Sequence, residues 1–245
     1  MVAALIAGCG SGDSSTSGNT KSVAGSTATD SSTAAGAGGG GTTLVAALGD
    51  SITSGSPGYD PDPASAAALG FGQDPRSSFE YWAQKANPKL EFRNCGVFGE
   101  RTDEIATRLK QCADGADALV IQGGINDIAQ SLQGGKPASL KAATTAAKNI
   151  SGMIDQAQKL DIPIAVTNVL PWNNGHPVAD DAIDQLNASI EQIAKKDGIE
   201  LLQFHDTLED SSGEQIKPGL TADGDHPSVA GYKLLGEKAF QLPAN

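Results

Sequence analysis

From residue 44 onward the sequence repeats one alternation, a short apolar run followed by a longer stretch with helical spacing. The runs "LVAAL" (44–48), "LEFRNC" (90–95), "ALVIQ" (118–122), "IPIAVTNV" (162–169) and "IELLQF" (199–204) have the length and apolarity of buried strands. The intervening patterns "SSFEYWAQKAN" (77–87), "TDEIATRLKQC" (102–112), "LKAATTAAKNISGMIDQAQKL" (140–160) and "ADDAIDQLNASIEQIAKKDG" (179–198) read as helices. "SVAGYKLLGEKAFQL" (228–242) reads as a closing helix. Thr102 is the expected N-cap of the second pattern and Gly198 the expected C-cap of the fourth. Strands separated by helices imply a parallel sheet covered on both faces, here a five-stranded, three-layer α/β/α sandwich. In such a sheet ligands bind beyond the carboxyl ends of the strands. The residues just after each strand are therefore where chemistry is expected.

The domain spans 44–245. Before it, residues 10–43 are nearly all Gly, Ser, Thr and Ala. Such a segment lacks the apolar bulk that offsets the entropy of ordering, and reads as a tether. Residues 1–8 are apolar and too short to span a bilayer. They read as a signal-peptide remnant. "IAGC" resembles a bacterial lipobox, which makes Cys9 the lipidation candidate and predicts an exported, surface-tethered or secreted protein. An oxidising compartment permits a disulfide between the remaining cysteines, Cys95 and Cys112; the alternative is two small buried thiols. The net charge of −12, with basic residues scattered, argues against nucleic-acid binding.

Four short blocks fall at strand ends: "GDSIT" (49–53), "NCGVFGERT" (94–102), "GGINDI" (123–128) and "DGDHP" (223–227). Together they hold what acyl transfer needs. Ser51 offers a hydroxyl and His226 a base, with Asp223 three residues earlier and able to hold its tautomer. Gly99 can bring its N–H close to a ligand, and Asn126 offers a side-chain amide. Taken singly each is ordinary: Ser51 after a strand is more often a helix cap, and Asp223-Gly224 is a common turn pair. Their order and common placement are not ordinary.

In that order the blocks resemble the SGNH hydrolases, also called GDSL esterases and lipases. The match runs through Gly49-Asp50-Ser51, Gly99, Gly124-Ile125-Asn126-Asp127 and Asp223-Gly224-Asp225-His226, and covers residues 44–245. The resemblance implies a flavodoxin-like sandwich and a serine esterase acting through an acyl-enzyme. It implies Ser51 as nucleophile, His226 as base and acid, and Asp223 as the residue orienting it. The oxyanion hole would be the Ser51 and Gly99 N–H groups and the Asn126 amide. Arg101 stands where many members carry Thr or Ser, which changes the polarity near Gly99. No cofactor and no metal are implied. The expected partner is a small-molecule, glycan or lipid ester met by a monomer; an O-acetylesterase, a lysophospholipase or thioesterase, and a non-catalytic binding lipoprotein are the alternatives.

Of the other histidines, His205 closes the fifth apolar run and reads as structural, whereas His176 in "PWNNGHP" (171–177) could border the pocket. Trp172 is either a pocket wall or a core anchor. The segment 54–76, rich in Pro and Gly, either shapes the substrate entrance or is a surface loop.

Overall fold

The computed structural model describes residues 41–244. The expected signal remnant, Cys9 and the tether up to residue 40 lie outside the described residues. Strands β1 (Thr43–Gly49), β2 (Leu90–Gly96), β3 (Ala118–Ile121), β4 (Ile164–Thr167) and β5 (Glu200–Leu202) form one sheet in the order β2-β1-β3-β4-β5, every pair parallel. The chain steps from β1 outward to β2 and then back across to β3. The order reverses between β1 and β3, the place where this class of sheet opens a crevice.

Nine helices flank the sheet among the described residues: α1 (Ser51–Ser54), α2 (Pro63–Leu69), α3 (Phe79–Ala86), α4 (Thr102–Ala113), α5 (Ile125–Ser131), α6 (Gly135–Ala157), α7 (Asp180–Asp197), α8 (Phe204–Leu208) and α9 (Val229–Leu234). The central strands are apolar on both faces because both are covered. On β1, Ala46 and Leu48 join the core under α4, α6 and α7, with Ile105, Met153 and Leu186. Val45 and Ala47 join the opposite core with Phe79, Trp82, Phe204 and Tyr232. Alternation along one strand thus feeds two layers.

The structure departs from the sequence reading in several places. Thr102 is the first residue of α4, not its cap. Arg101 holds the cap position, with its N–H on the Glu104 carboxylate at 2.9 Å, because Thr102 gives both its N–H and its hydroxyl to Asp127. The fifth strand ends at Leu202, and Phe204 and His205 belong to α8. The closing helix stops as α9 and continues as one π-helical turn to Ala239. The segment 54–76 contains α2, capped by the Asp62 carboxylate and ended by Gly70 at φ +71°. Pro63 at the start of that helix loses no N–H bond there. Cys95 at the end of β2 and Cys112 in the last turn of α4 form a disulfide, with Cα atoms 6.1 Å apart.

Candidate active site

Block one is held from the neighbouring strand. Asp50 caps α1 by accepting the Ile52 N–H at 2.9 Å, and Ser51 is the first helical residue, 4% exposed. Just past β3, the Gln122 side-chain oxygen accepts from the Asp50 N–H (3.1 Å), the Thr53 N–H (3.3 Å) and the Thr53 hydroxyl (2.8 Å). Gly49 is required by close approach: a Cβ there would strike Thr53 Oγ1 and Gln122 Oε1. At the first position of a helix the Ser51 N–H has no intrahelical partner and is available to an anion.

Block two is fastened to block one and then left open. Asn94 donates to the Thr53 carbonyl at 2.7 Å, and the Val97 N–H reaches the Gly49 carbonyl at 3.1 Å. Gly99 sits at φ +80°, with no atom within 4 Å of where a Cβ would stand, so its peptide borders open space. Arg108 on α4 binds across both blocks. Its guanidinium donates to the Gly49 carbonyl (3.0 Å), the Cys95 carbonyl (2.6 Å) and the Glu100 carboxylate (2.9 Å). Gln122 and Arg108 were not singled out in the sequence, where neither belongs to a motif.

Block three opens α5. The Asn126 amide donates to the Glu100 carbonyl at 2.9 Å, leaving its second N–H free. Gln130 donates to the Gly99 carbonyl at 3.1 Å and accepts from Arg101 at 2.9 Å. Arg101 also pairs with Asp103, so its charge is already engaged.

Block four is a tight turn. Asp223 Oδ1 accepts the N–H groups of Asp225 (2.9 Å) and His226 (2.8 Å), and its Oδ2 lies 2.9 Å from His226 Nδ1. Burial raises the Asp223 pKa, but the imidazole and these N–H groups outweigh it and hold the carboxyl below its ordinary value. With Nδ1 on the carboxylate, Nε2 is the ring's remaining basic position. Trp172 Nε1 donates to Asp225 Oδ1 at 2.6 Å, and Asn174 donates to the same oxygen at 2.7 Å and to the Asp223 carbonyl at 3.0 Å. Trp172 also packs against the core, so it anchors the last turn. His176 Nδ1 is taken by Asp180 at 2.8 Å. His205 is buried, its ring nitrogens facing the carbonyls of Val169 (2.7 Å) and Gly213 (2.9 Å).

The Phe98 ring lies 5.9 Å from the His226 ring and joins block two to block four. His226 is 8% exposed and close enough to Asp50 to favour its charged form, although burial still pushes the Asp50 carboxyl up to about 6. Among the described residues no hydrogen bond joins Ser51 Oγ to His226. Among the described residues, two clusters each bring their own donor atoms within 4.8 Å of one another: His176, Asp180 and Glu214 in one, and Asp223, Asp225 and His226 in the other. In both, the imidazole nitrogen already faces a carboxylate.

The family described as GDSL-like lipase/acylhydrolase matches residues 47–234. The chain belongs to that family. It is an enzyme that hydrolyses esters. None of the curated proteins matches the sequence. Among solved structures, the fold is similar to a protein assigned to the lipolytic G-D-S-L family from Desulfitobacterium hafniense DCB-2, at 23% identity over 80% of this chain and 97% of that one, with a TM-score of 0.62. It is similar to a member of the same family from Veillonella parvula DSM 2008, at 21% identity over 81% and 96%, with a TM-score of 0.61. It is also similar to a variant of an acetyl xylan esterase from Geobacillus stearothermophilus, at 19% identity over 80% and 92%, with a TM-score of 0.60.

Proposed function

We propose that the GDSL enzyme cleaves carboxylic esters through an acyl-enzyme on Ser51. The observation that carries this reading is the Asp223–His226 pair, which holds Nδ1 at 2.9 Å and reserves Nε2 for proton transfer. Nε2 takes the Ser51 proton as Oγ attacks the ester carbonyl, and Asp223 stabilises the imidazolium that forms. The tetrahedral oxyanion is received by the Ser51 N–H, the Gly99 N–H and the free N–H of Asn126, donors already fixed by the surrounding hydrogen bonds. As the intermediate collapses, Nε2 returns its proton to the departing alkoxide, and the alcohol leaves. Water then attacks the acyl-Ser51 ester, giving its proton to Nε2; as this second intermediate collapses the acyl–Oγ bond breaks, Nε2 returns the proton to Ser51 Oγ, and the acid is released. The Ser51–His226 hydrogen bond forms in this scheme when substrate fills the site, as catalytic contacts commonly tighten on binding.

The test is Ser51→Ala assayed with p-nitrophenyl acetate, alongside fluorophosphonate labelling of the unaltered enzyme. The expected result is a loss of kcat by at least about 10⁴-fold, an unchanged melting temperature, and label on Ser51 alone. Turnover retained in the alanine variant would sink the mechanism.

A further inference from the structure

A cavity of about 150 Å³ lies between α2 and the turn after β2, against Gly96, Val97 and Phe98. One wall is apolar, made of Leu69, Val97 and Phe98, which are 45%, 40% and 40% exposed. The other is polar, made of Asp60, Asp62 and Ser65. Phe98 lines the cavity and its ring lies 5.9 Å from the His226 ring, so one side chain borders both the cavity and the candidate base. The cavity is built rather than incidental. Phe71 packs edge-on against Phe98 with centroids 5.1 Å apart. The segment carrying Phe71 is pinned by Phe71 N–H to Ala66 (2.8 Å), Gly72 N–H to Pro57 (3.0 Å) and Asp74 N–H to Gly58 (2.9 Å).

The two walls select their ligand. A fatty acyl chain would press hydrocarbon against the Asp60 and Asp62 carboxylates and leave their remaining acceptor positions unfilled, which is costly. An anionic head group would meet two carboxylates in a protein of net charge −12. Asp60 accepts the Asp62 N–H (2.8 Å) and Asp62 accepts the Ala64 N–H (3.0 Å) and the Ser65 hydroxyl (2.8 Å), yet a carboxylate has about four acceptor positions, so capacity remains. A small neutral ring with a C–H face for Phe98 and a hydroxyl edge for the carboxylates satisfies both walls. The volume, below the range of drug-sized sites, suits one ring.

We propose that this cavity binds a single pyranose ring of the substrate, so that the enzyme's esters are acylated sugars and Phe98 is the residue that sets the preference. The inference rests on the Ser51 mechanism proposed above. Its test compares an O-acetylated methyl pyranoside, p-nitrophenyl acetate and acetylcholine on the unaltered enzyme, Phe98→Ala and Phe98→Tyr. The expected result is that the ratio of kcat/KM for the sugar ester over the aryl ester falls at least about tenfold in Phe98→Ala, through KM, and is retained in Phe98→Tyr. Leu69→Arg, an exposed substitution that fills the cavity, lowers the same ratio and keeps the test open if Phe98→Ala does not fold. The inference is overturned if the ratio is unchanged, if both esters fall together through kcat, or if acetylcholine is the preferred ester, which would make the cavity a cation site. Failure of the unaltered enzyme to turn over any of the three esters is a different result and strikes the Ser51 mechanism itself.

Discussion

The two halves of the candidate site treat the same chemical group in opposite ways. On the nucleophile side, burial pushes carboxyl groups up: Asp50 to about 6 and Glu80, in the first turn of α3, to about 8. Asp50 Oδ2 and both Glu80 oxygens are buried without hydrogen-bond partners among the described residues. On the base side, the exposed Asp223 carboxyl is held below its ordinary value by the imidazole and by two backbone N–H groups. The nucleophile side is assembled over long sequence separations, by Gln122 just past β3, Arg108 from α4, and Tyr232, whose hydroxyl reaches the Ser56 carbonyl at 3.1 Å. The base side is assembled within four residues and then anchored from the loop carrying Trp172 and Asn174. The difference follows from what each side must do. The nucleophile side has to position neutral donors, and a rigid dry scaffold does that. The base side has to keep one negative charge available to an imidazolium, and that needs donors and some water.

The sharpest way to break this comparison is to remove the charge on the base side. Asp223→Asn keeps a side-chain acceptor for the backbone N–H groups of Asp225 and His226 but cannot stabilise an imidazolium. We expect kcat to fall by about 10²- to 10⁴-fold with little change in melting temperature. If kcat moves less than about threefold, the charge that serves His226 is not that of Asp223, and the buried Asp50 beside it becomes the candidate.

The second prediction concerns the buried acid on the other side. A carboxyl whose pKa is raised on folding binds its proton more tightly in the native state. The unfolded chain releases that proton above about pH 4.5, the folded chain only near pH 8, so Glu80 makes stability fall across this window. Glu80→Gln cannot ionise. Its stability curve is expected to be flatter, with the unaltered protein losing about 3 kcal/mol relative to the variant between pH 5 and 8. Unfolding by urea at several pH values reads this directly. Parallel curves would mean that Glu80 ionises in the folded protein as freely as in the unfolded one, and the contrast with Asp223 would collapse.

What was legible in the sequence follows the same division. The strands were legible because each is a short apolar run, and the blocks because they fall at strand ends. The Asp223–His226 pairing was legible because a three-residue spacing is a local property. The roles of Gln122 and Arg108 were not, since nothing near either residue says that its partners are the Asp50 and Thr53 amides or the Gly49 carbonyl. Thr102 reads as a cap until Asp127 arrives from α5 and takes its hydroxyl. Block three reads as an ordinary turn because two glycines precede Ile125, yet Gly124, at φ +120°, is the residue from which α5 starts. The helix α2 was hidden in a Pro- and Gly-rich stretch whose Asp62 cap and Pro63 start are recognisable only once the helix is known.

The smallest expected effect tests how local the base side is. Trp172→Phe removes the indole N–H from Asp225 while keeping most of the ring that covers Gly175, and Asn174 still donates to the same oxygen at 2.7 Å. One hydrogen bond of this kind contributes about 1 kcal/mol. A turn that is set by Asp223 and merely steadied by the loop should therefore lose no more than about tenfold in kcat and about 1 kcal/mol in stability. A loss matching that of Asp223→Asn would show that His226 is positioned from the Trp172 loop, and that both halves of the site depend on distant elements. A loss of stability without loss of kcat would leave the turn self-sufficient, with Trp172 acting only as a core anchor.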